Sequence, residues 1–206
     1  MFGAIYGIVL FAGLAMTVRE GVWNNALTLI NVIISGLVAF GFYSPLVVYL
    51  DEMSGGQHTY WLDFAIIWAL YAATMVVLRS LEAAASKTRL RFKHPIDNVG
   101  GPILGFFAAW VLAAFTLASL HTAPMPKNGF GGKLVASNDV DSASLLTSPD
   151  AAWIRFFVTM TGKTSFGFTD TNKSDWQKRA AAAWVQEYAT HRAEFDQADG
   201  MIVKRG

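Results

Sequence analysis

Few residues of this chain have the types and spacing that a reaction requires. Gly162-Lys163-Thr164 resembles the end of a phosphate-binding loop, but that loop needs a glycine five residues before Gly162, where the chain has Phe157. The four histidines, at positions 58, 94, 121 and 191, lack metal-ligand spacing, which favours ordinary interfacial or exposed side chains. No serine marks a nucleophile turn. The sequence therefore predicts a protein that is not an enzyme, with no cofactor and no metal.

Polar chemistry inside the apolar segments is limited to hydrogen bonding. Asn31 and Ser35 lie four residues apart and so on one face of a helix. In lipid such side chains prefer a neighbouring helix, where a hydrogen bond contributes about 0.6–2 kcal/mol. No charged residue lies deep in an apolar segment, whereas ion-coupled transporters usually keep such groups at mid-membrane. This pattern argues against an ion-driven pump but not against a passive pore.

The composition indicates a membrane domain followed by a soluble region. Of the 206 residues, 53% are hydrophobic and 15% charged, against about a quarter charged in a soluble domain. Residues 121–206 hold most of the charge, so we predict a four-span membrane domain at 1–125 and a soluble, mostly helical region at 126–206. The net charge of +1 gives no support for a nucleic-acid partner, and the absence of cysteine excludes disulfides.

Four apolar segments are predicted to cross the bilayer as helices. The last has 19 residues without a charge from Pro102 to Leu120, and such a helix covers roughly 30 Å, the thickness of the hydrocarbon core. The fold class is therefore all-α: an integral membrane four-helix protein with a small α-helical extramembrane C-terminal tail. The predicted spans are 2–18, 26–43, 61–78 and 102–120.

The helix boundaries are less sharply marked than the spans. The second helix either breaks at Pro45 or continues to Leu50, and residues 51–60 are predicted to form a polar loop. The fourth helix is capped either by Asp97 or by Gly101, with Pro102 at its first position in the second case.

Basic residues predict the orientation. Arg19 follows the first span and a basic cluster follows the third, whereas the N-terminal end and the 44–60 loop carry no Lys or Arg. Because short basic links stay in the cytoplasm, we predict N-out and C-out topology, with the basic residues of these links near the lipid headgroups. The predicted anchors are Arg19, Arg79, Lys87, Arg89, Arg91 and Lys93.

The C-terminal region contains two helix signals. Ser148-Pro149-Asp150 is typical of a helix start, and Ser174 with Gln177 has the spacing of a capping box. The second helix carries an aromatic stripe, which we expect to pack on its own domain or on the membrane surface rather than on a partner. The stripe consists of Trp176, Trp184 and Tyr188.

Two glycine pairs have the spacing that lets membrane helices approach closely. These are Gly101 with Gly105 and Gly3 with Gly7. The spacing leaves open whether each contact is internal or to another subunit, so a homo-oligomer is one of the two possibilities.

The segment at Asp97 resembles the colicin V production protein (CvpA-like) family. That family has a pattern close to D-R-x-x-G-x-x-x-G-x-x-R-G before its last span. Asp97, Gly101 and Gly105 match it, whereas Asn98, Ala108 and Ala109 depart from it. A second family segment, R-G-x-x-R-E-A-L-S-L, is matched at four positions, with Glu20, Asn24 and Asn25 in place of its charged residues. The matching residues are Gly21, Ala26, Leu27 and Leu29.

The resemblance covers roughly residues 1–125 and implies a bacterial inner-membrane protein associated with colicin V production or export. The hypothesis that follows is a non-enzymatic scaffold or oligomeric assembly, acting in toxin production, export or envelope homeostasis, with the lipid bilayer and other membrane or envelope proteins as partners. The alternative is a small passive channel or transport subunit lined by Asn31 and Ser35.

Overall fold

The computed structural model describes residues 2–54, 59–85, 96–125, 133–136, 139–140, 144, 147–163 and 181–197. Those residues contain helices and no β-strand, which confirms the all-α class. A 3-10 turn at Leu120–Thr122 prolongs the fourth helix. The helices are α1 (Phe2–Thr17), α2 (Val22–Ser54), α3 (Thr59–Ala85), α4 (Ile96–Ser119), α5 (Pro149–Lys163) and α6 (Ala181–Gln197).

Three of these helices are long and apolar enough to cross a bilayer. They provide the candidate spans Val22–Met53, Trp61–Ala84 and Ile96–Thr122. Helix α1 is apolar but has 16 residues, which cover about 24 Å and fall short of a typical crossing. Three of the four predicted spans thus have the length and composition of a crossing helix, and a crossing by α1 stays a prediction.

Of the two alternatives for the second helix, continuation past Pro45 is confirmed and a break there is wrong, whereas both bounds of the predicted 51–60 loop are wrong. Helix α2 continues through Pro45 to Ser54 and α3 begins at Thr59, so the predicted loop at 51–60 is helical at both ends. Pro45 removes one backbone hydrogen bond from α2. The buried side chains of Tyr43 and Val47, two residues before and two after it, pack against the rest of the protein and compensate for that loss.

Helix α4 begins at Ile96, so Asp97 lies in its first turn and Pro102 lies inside the helix. A start at Gly101 is therefore wrong. Contacts with other helices stabilise the turns of α4 before Pro102. Local helix propensity does not predict these contacts.

Helices α2 and α4 pack together at the centre of the fold. Helix α1 lies against α4, α3 lies against α2, and α5 packs along α4. At the crossing of α1 and α4, a Cβ atom on Gly13 would lie 2.8 Å from the Cβ atom of Ala109, so the two backbones approach closely because both residues are small.

The C-terminal helices share one apolar core with the membrane helices. The Trp153 ring of α5 lies 6.1 Å from Phe40 and 5.7 Å from Phe115 between ring centroids. It fits against α2 because Gly36 has no side chain there: a Cβ would lie 2.5 Å from the indole. The domain boundary at residue 125 stays a prediction, although α5 and α6 bury their apolar faces on the bundle.

The aromatic stripe of α6 packs inside the chain, but against α2 of the predicted membrane domain and not on its own region or on the membrane surface. Trp184 Nε1 and the Tyr188 hydroxyl both hydrogen-bond the Tyr43 hydroxyl of α2, at 3.1 and 3.0 Å. Trp176 and the predicted capping box at Ser174 lie outside the described residues. The other tail signal is confirmed, since α5 starts at Pro149 directly after Ser148.

Candidate functional site

The residues of the family-like pattern meet where α4 passes the turn between α1 and α2. The Asp97 carboxylate accepts a 3.0 Å hydrogen bond from the backbone N–H of Val22, the first residue of α2. Asp97 therefore caps a different helix from the one predicted. An acidic side chain at a helix N-terminus contributes about 0.5–2 kcal/mol. Gly21 leaves room for it, because a Cβ there would lie 3.1 Å from Asp97 Oδ1.

Gly101 and Gly105 lie at the closest approach between α4 and the α1–α2 turn. A Cβ on Gly101 would lie 2.7 Å from the carbonyl oxygen of Glu20, and a Cβ on Gly105 would lie 2.7 Å from Thr17 Oγ1. Both distances are shorter than van der Waals contact, so only glycine fits unless the backbones separate. The contact of this glycine pair is internal.

Asn25 connects the three helices through its side-chain amide. Its Nδ2 donates to the carbonyl oxygens of Thr17 at 3.0 Å and Gly101 at 2.7 Å, and lies 3.2 Å from that of Glu20. From the sequence, Asn25 was identified only as a departure from the family pattern. Because a buried amide at the start of an apolar helix needs hydrogen-bond partners, a contact of Asn25 with a neighbouring helix could have been predicted from its position. We call Gly21, Asn25, Asp97, Gly101 and Gly105 the junction, and this end of the bundle the junction end.

Asn31 and Ser35 occupy the predicted face of α2 but have different surroundings. Asn31 Nδ2 donates a 2.7 Å hydrogen bond to Glu82 Oε1, which joins α2 to α3. Ser35 is fully buried, and its hydroxyl has no partner among the described residues. Asn31 thus joins two helices, whereas Ser35 lies in the packed interior.

The predicted anchors are only partly described. Arg19 and Arg79 are exposed, and Arg79 lines a cavity together with Glu20, the neighbour of Arg19, so both arginines lie at the junction end. The cluster of Lys87, Arg89, Arg91 and Lys93 lies outside the described residues.

A buried ionisable pair holds α5 at the opposite end of the bundle. His121 Nε2 lies 3.1 Å from Asp150 Oδ2, and both side chains are almost fully buried. The same carboxylate oxygen accepts the backbone N–H of Val135 at 2.9 Å, and Arg192 Nη1 donates to the carbonyl oxygen of His121 at 2.7 Å. The prediction that all four histidines are interfacial or exposed is wrong for His121. We call the end of the bundle that contains His121 and Asp150 the docking end.

Nothing in the sequence marks the His121–Asp150 pair, because its members are 29 residues apart and only the fold brings them together. Within the described part of the chain, no group of three or more His, Asp or Glu side chains could hold a metal ion. The pair contacts the backbone N–H of Val135 and the guanidinium of Arg192, and its chemistry is that of a structural latch between α4 and α5.

The latch predicts a dependence of stability on acid. Burial alone would raise the pKa of Asp150, but the hydrogen bonds from His121 and Val135 outweigh it, so the pKa lies below its usual value. A carboxyl whose folded pKa is depressed contributes stability above its unfolded pKa of about 3.9 and loses it as the pH falls through the folded pKa. Arg192 also lies nearby, and burial lowers its own pKa.

We therefore expect the free energy of unfolding to fall below about pH 4 more steeply in the parent chain than in Asp150→Asn. Urea unfolding in detergent micelles, followed by circular dichroism at a series of pH values, measures this difference. Parallel pH profiles for the two proteins would contradict the assignment.

A cavity of about 530 Å³ opens at the junction end. Its floor includes Ala108 and Ala109 of α4, two positions at which the chain departs from the family pattern. Its mouth carries Glu20, Arg79 and Glu82. The floor is thus apolar and the mouth charged.

Comparisons with curated proteins and with solved structures gave no match. The family model described as "Colicin V production protein" matches residues 2–147, which is more than half of the chain and extends past α4. The match agrees with the apolar helices that can span a membrane. This chain is a membrane protein that belongs to the colicin V production protein family.

Proposed function

We propose that the protein is a non-enzymatic inner-membrane scaffold, acting as an oligomeric assembly in toxin production, toxin export or envelope homeostasis. The observation that supports this most is the packing of α5 and α6 against the membrane helices. A shared aromatic core and the His121–Asp150 latch fix these helices to the docking end. They offer other envelope proteins a surface of fixed geometry.

The same core argues against a pore through a single copy. Phe115 is fully buried between α2, α3 and α5, with its ring stacked on Tyr71 at 4.5 Å and packed against Trp68 at 5.4 Å. Large side chains therefore fill the docking half of the bundle, while the cavity opens at the junction end. Such packing favours a scaffold over a pore through one copy.

One face of α1 suits contact with another membrane helix. A Cβ at Gly3 or Gly7 would meet no atom within 4 Å among the described residues, and the nearby Ile8 and Phe11 are 67% and 74% exposed. Small residues next to large apolar ones allow close helix association. We assign this face to contacts between copies or with a membrane partner.

Co-purification after mild detergent extraction tests the scaffold. We expect an oligomer or a bound envelope protein in the parent chain, and a reduced amount in Gly7→Leu with unchanged helix content. Ala84→Leu, at an exposed position on α3 away from this face, is the control. Recovery of monomer alone, without any partner, would contradict the scaffold.

The cavity and the Asn31–Glu82 hydrogen bond favour a second candidate, a small passive channel or transport subunit assembled from several copies. Solute flux into liposomes that contain the purified protein would support it, if the flux disappears in Asn31→Leu. The first proposal is favoured if the liposomes stay tight.

We place both termini on the far side of the inner membrane. Arg19 and Arg79 lie at the same end of the bundle, which supports a cytoplasmic position of that end by the bias of basic residues in short links.

A further inference from the structure

A groove runs along the bundle where α1 and α3 stand apart. Helices α2 and α4 form its floor, and α1 and α3 form its two walls. A second cavity of about 460 Å³ continues the first, and both are lined by Met16, Tyr71 and Met75. The second cavity reaches Trp68 and Thr116. Together they make one continuous groove, open to the side, in the apolar part of the bundle.

The length of this groove matches one leaflet of a bilayer. Arg79 lines both cavities and Trp68 lines the far one. Eleven residues of α3 separate them, which corresponds to about 16 Å along the helix axis. Half of the hydrocarbon core is about 15 Å thick. An acyl chain whose headgroup lies at Arg79 would therefore fill the groove to the bilayer midplane.

The walls and the mouth have the polarity of an amphipathic ligand. Methyl, thioether and aromatic groups line most of the groove, together with Thr17, Thr28 and Thr116. The hydroxyls of Thr17 and Thr116 donate to carbonyl oxygens of their own helices. Glu20, Arg79 and Glu82 surround the mouth. In the described part of the chain, no carboxylate forms an ion pair with Arg79. Glu20 and Glu82 each accept one hydrogen bond from an asparagine amide, at 2.7 Å, and a carboxylate can accept several more.

We propose that this groove binds one phospholipid with a primary-amine headgroup, its phosphate on Arg79 and one acyl chain between α1 and α3. A guanidinium pairs with phosphate oxygens through charge-assisted hydrogen bonds. The ammonium group donates to the Glu20 carboxylate. Two carboxylates at the mouth disfavour a headgroup with net negative charge, and a quaternary ammonium has no N–H to donate. The site is independent of the scaffold role, since its mouth lies at the junction end and its lining residues belong to α1–α4 and not to α5 or α6.

Native mass spectrometry of the full chain tests the proposal. The protein is released from nanodiscs that contain equal amounts of phosphatidylethanolamine, phosphatidylcholine and phosphatidylglycerol. We expect one retained phosphatidylethanolamine per chain and about tenfold less of it in Arg79→Ala, the loss typical of a charge-assisted hydrogen bond. Arg19→Ala removes an exposed arginine at the same end but outside the groove, and is expected to retain the lipid.

A second variant keeps every charge and blocks the mouth. Ala83 is exposed and lines the cavity, so Ala83→Phe is expected to fold and to lose the lipid. Equal retention of the three lipids, a preference for phosphatidylglycerol, or undiminished binding in both groove variants would overturn the proposal. Loss of the lipid in Arg19→Ala as well would also overturn it, since a general surface charge effect would then explain the binding.

Discussion

Replacing Gly101 with leucine is expected to lower the free energy of unfolding by about 3 kcal/mol, the upper range for overpacking a core. The physical reason is the short distance of 2.7 Å from a Cβ at this position to the carbonyl oxygen of Glu20. A backbone atom has no alternative rotamer, so α4 must move away from the α1–α2 turn. That movement also breaks the 2.7 Å hydrogen bond from Asn25 to the Gly101 carbonyl.

Ala84→Leu is the control, because it also adds a leucine side chain to a helix, but at an exposed position. Thermal unfolding of the two variants in the same detergent, followed by circular dichroism, separates the steric effect at the junction from a general effect of an added leucine. The junction as described would be contradicted by equal unfolding temperatures for Gly101→Leu and Ala84→Leu.

The second large effect is expected for Asp150→Ala, with a loss of about 3–5 kcal/mol, as for a buried ion pair from which one partner is removed. The change leaves His121 buried without its carboxylate and the N–H of Val135 without its acceptor. We expect α5 to detach from α4 before the membrane helices lose their packing, because the lost contacts lie only at the docking end.

A thiol at Ala152 reports this detachment in a chain that has no native cysteine. Ala152 is 6% exposed, so Ala152→Cys is expected to react slowly with a maleimide alone and quickly when combined with Asp150→Ala. Glu194→Ala, which removes an exposed carboxylate from α6, should leave the slow reaction unchanged. Rapid labelling of Ala152→Cys by itself would show that α5 is not held against α4.

The sequence predicts the membrane helices well, because their signal is local. A charge-free run of membrane length allows few structures other than a helix, and α3 and α4 appear where the apolar segments predicted them. The errors fall at the two ends of the predicted 51–60 loop. At Pro45 and at Pro102 the sequence left two alternatives open, because local propensity favours a helix boundary at a proline. Contacts between helices, such as the hydrogen bond of Asp97 to Val22, decide these positions.

Some residues of the candidate sites could likewise be predicted from a local pattern, whereas others depend on distant parts of the chain. Gly101 and Gly105 could be chosen from their spacing, because small residues four apart have a direct meaning in helix packing. The partner of Asp97 and the pairing of His121 with Asp150 depend on residues 75 and 29 positions away, which no local pattern specifies. The packing of α5 on α4 was missed for the same reason, because the charge density of the tail suggested a separate soluble region.

The central claim is that a bilayer separates the junction end from the helices α5 and α6 at the docking end. Single cysteines at Lys87, Ser54 and Thr190 test it directly, with a membrane-impermeant maleimide applied to spheroplasts and to inverted vesicles. We expect Lys87→Cys to be labelled only from the cytoplasmic side, and Ser54→Cys and Thr190→Cys only from the opposite side. Labelling of Thr190→Cys from the same side as Lys87→Cys would contradict the account.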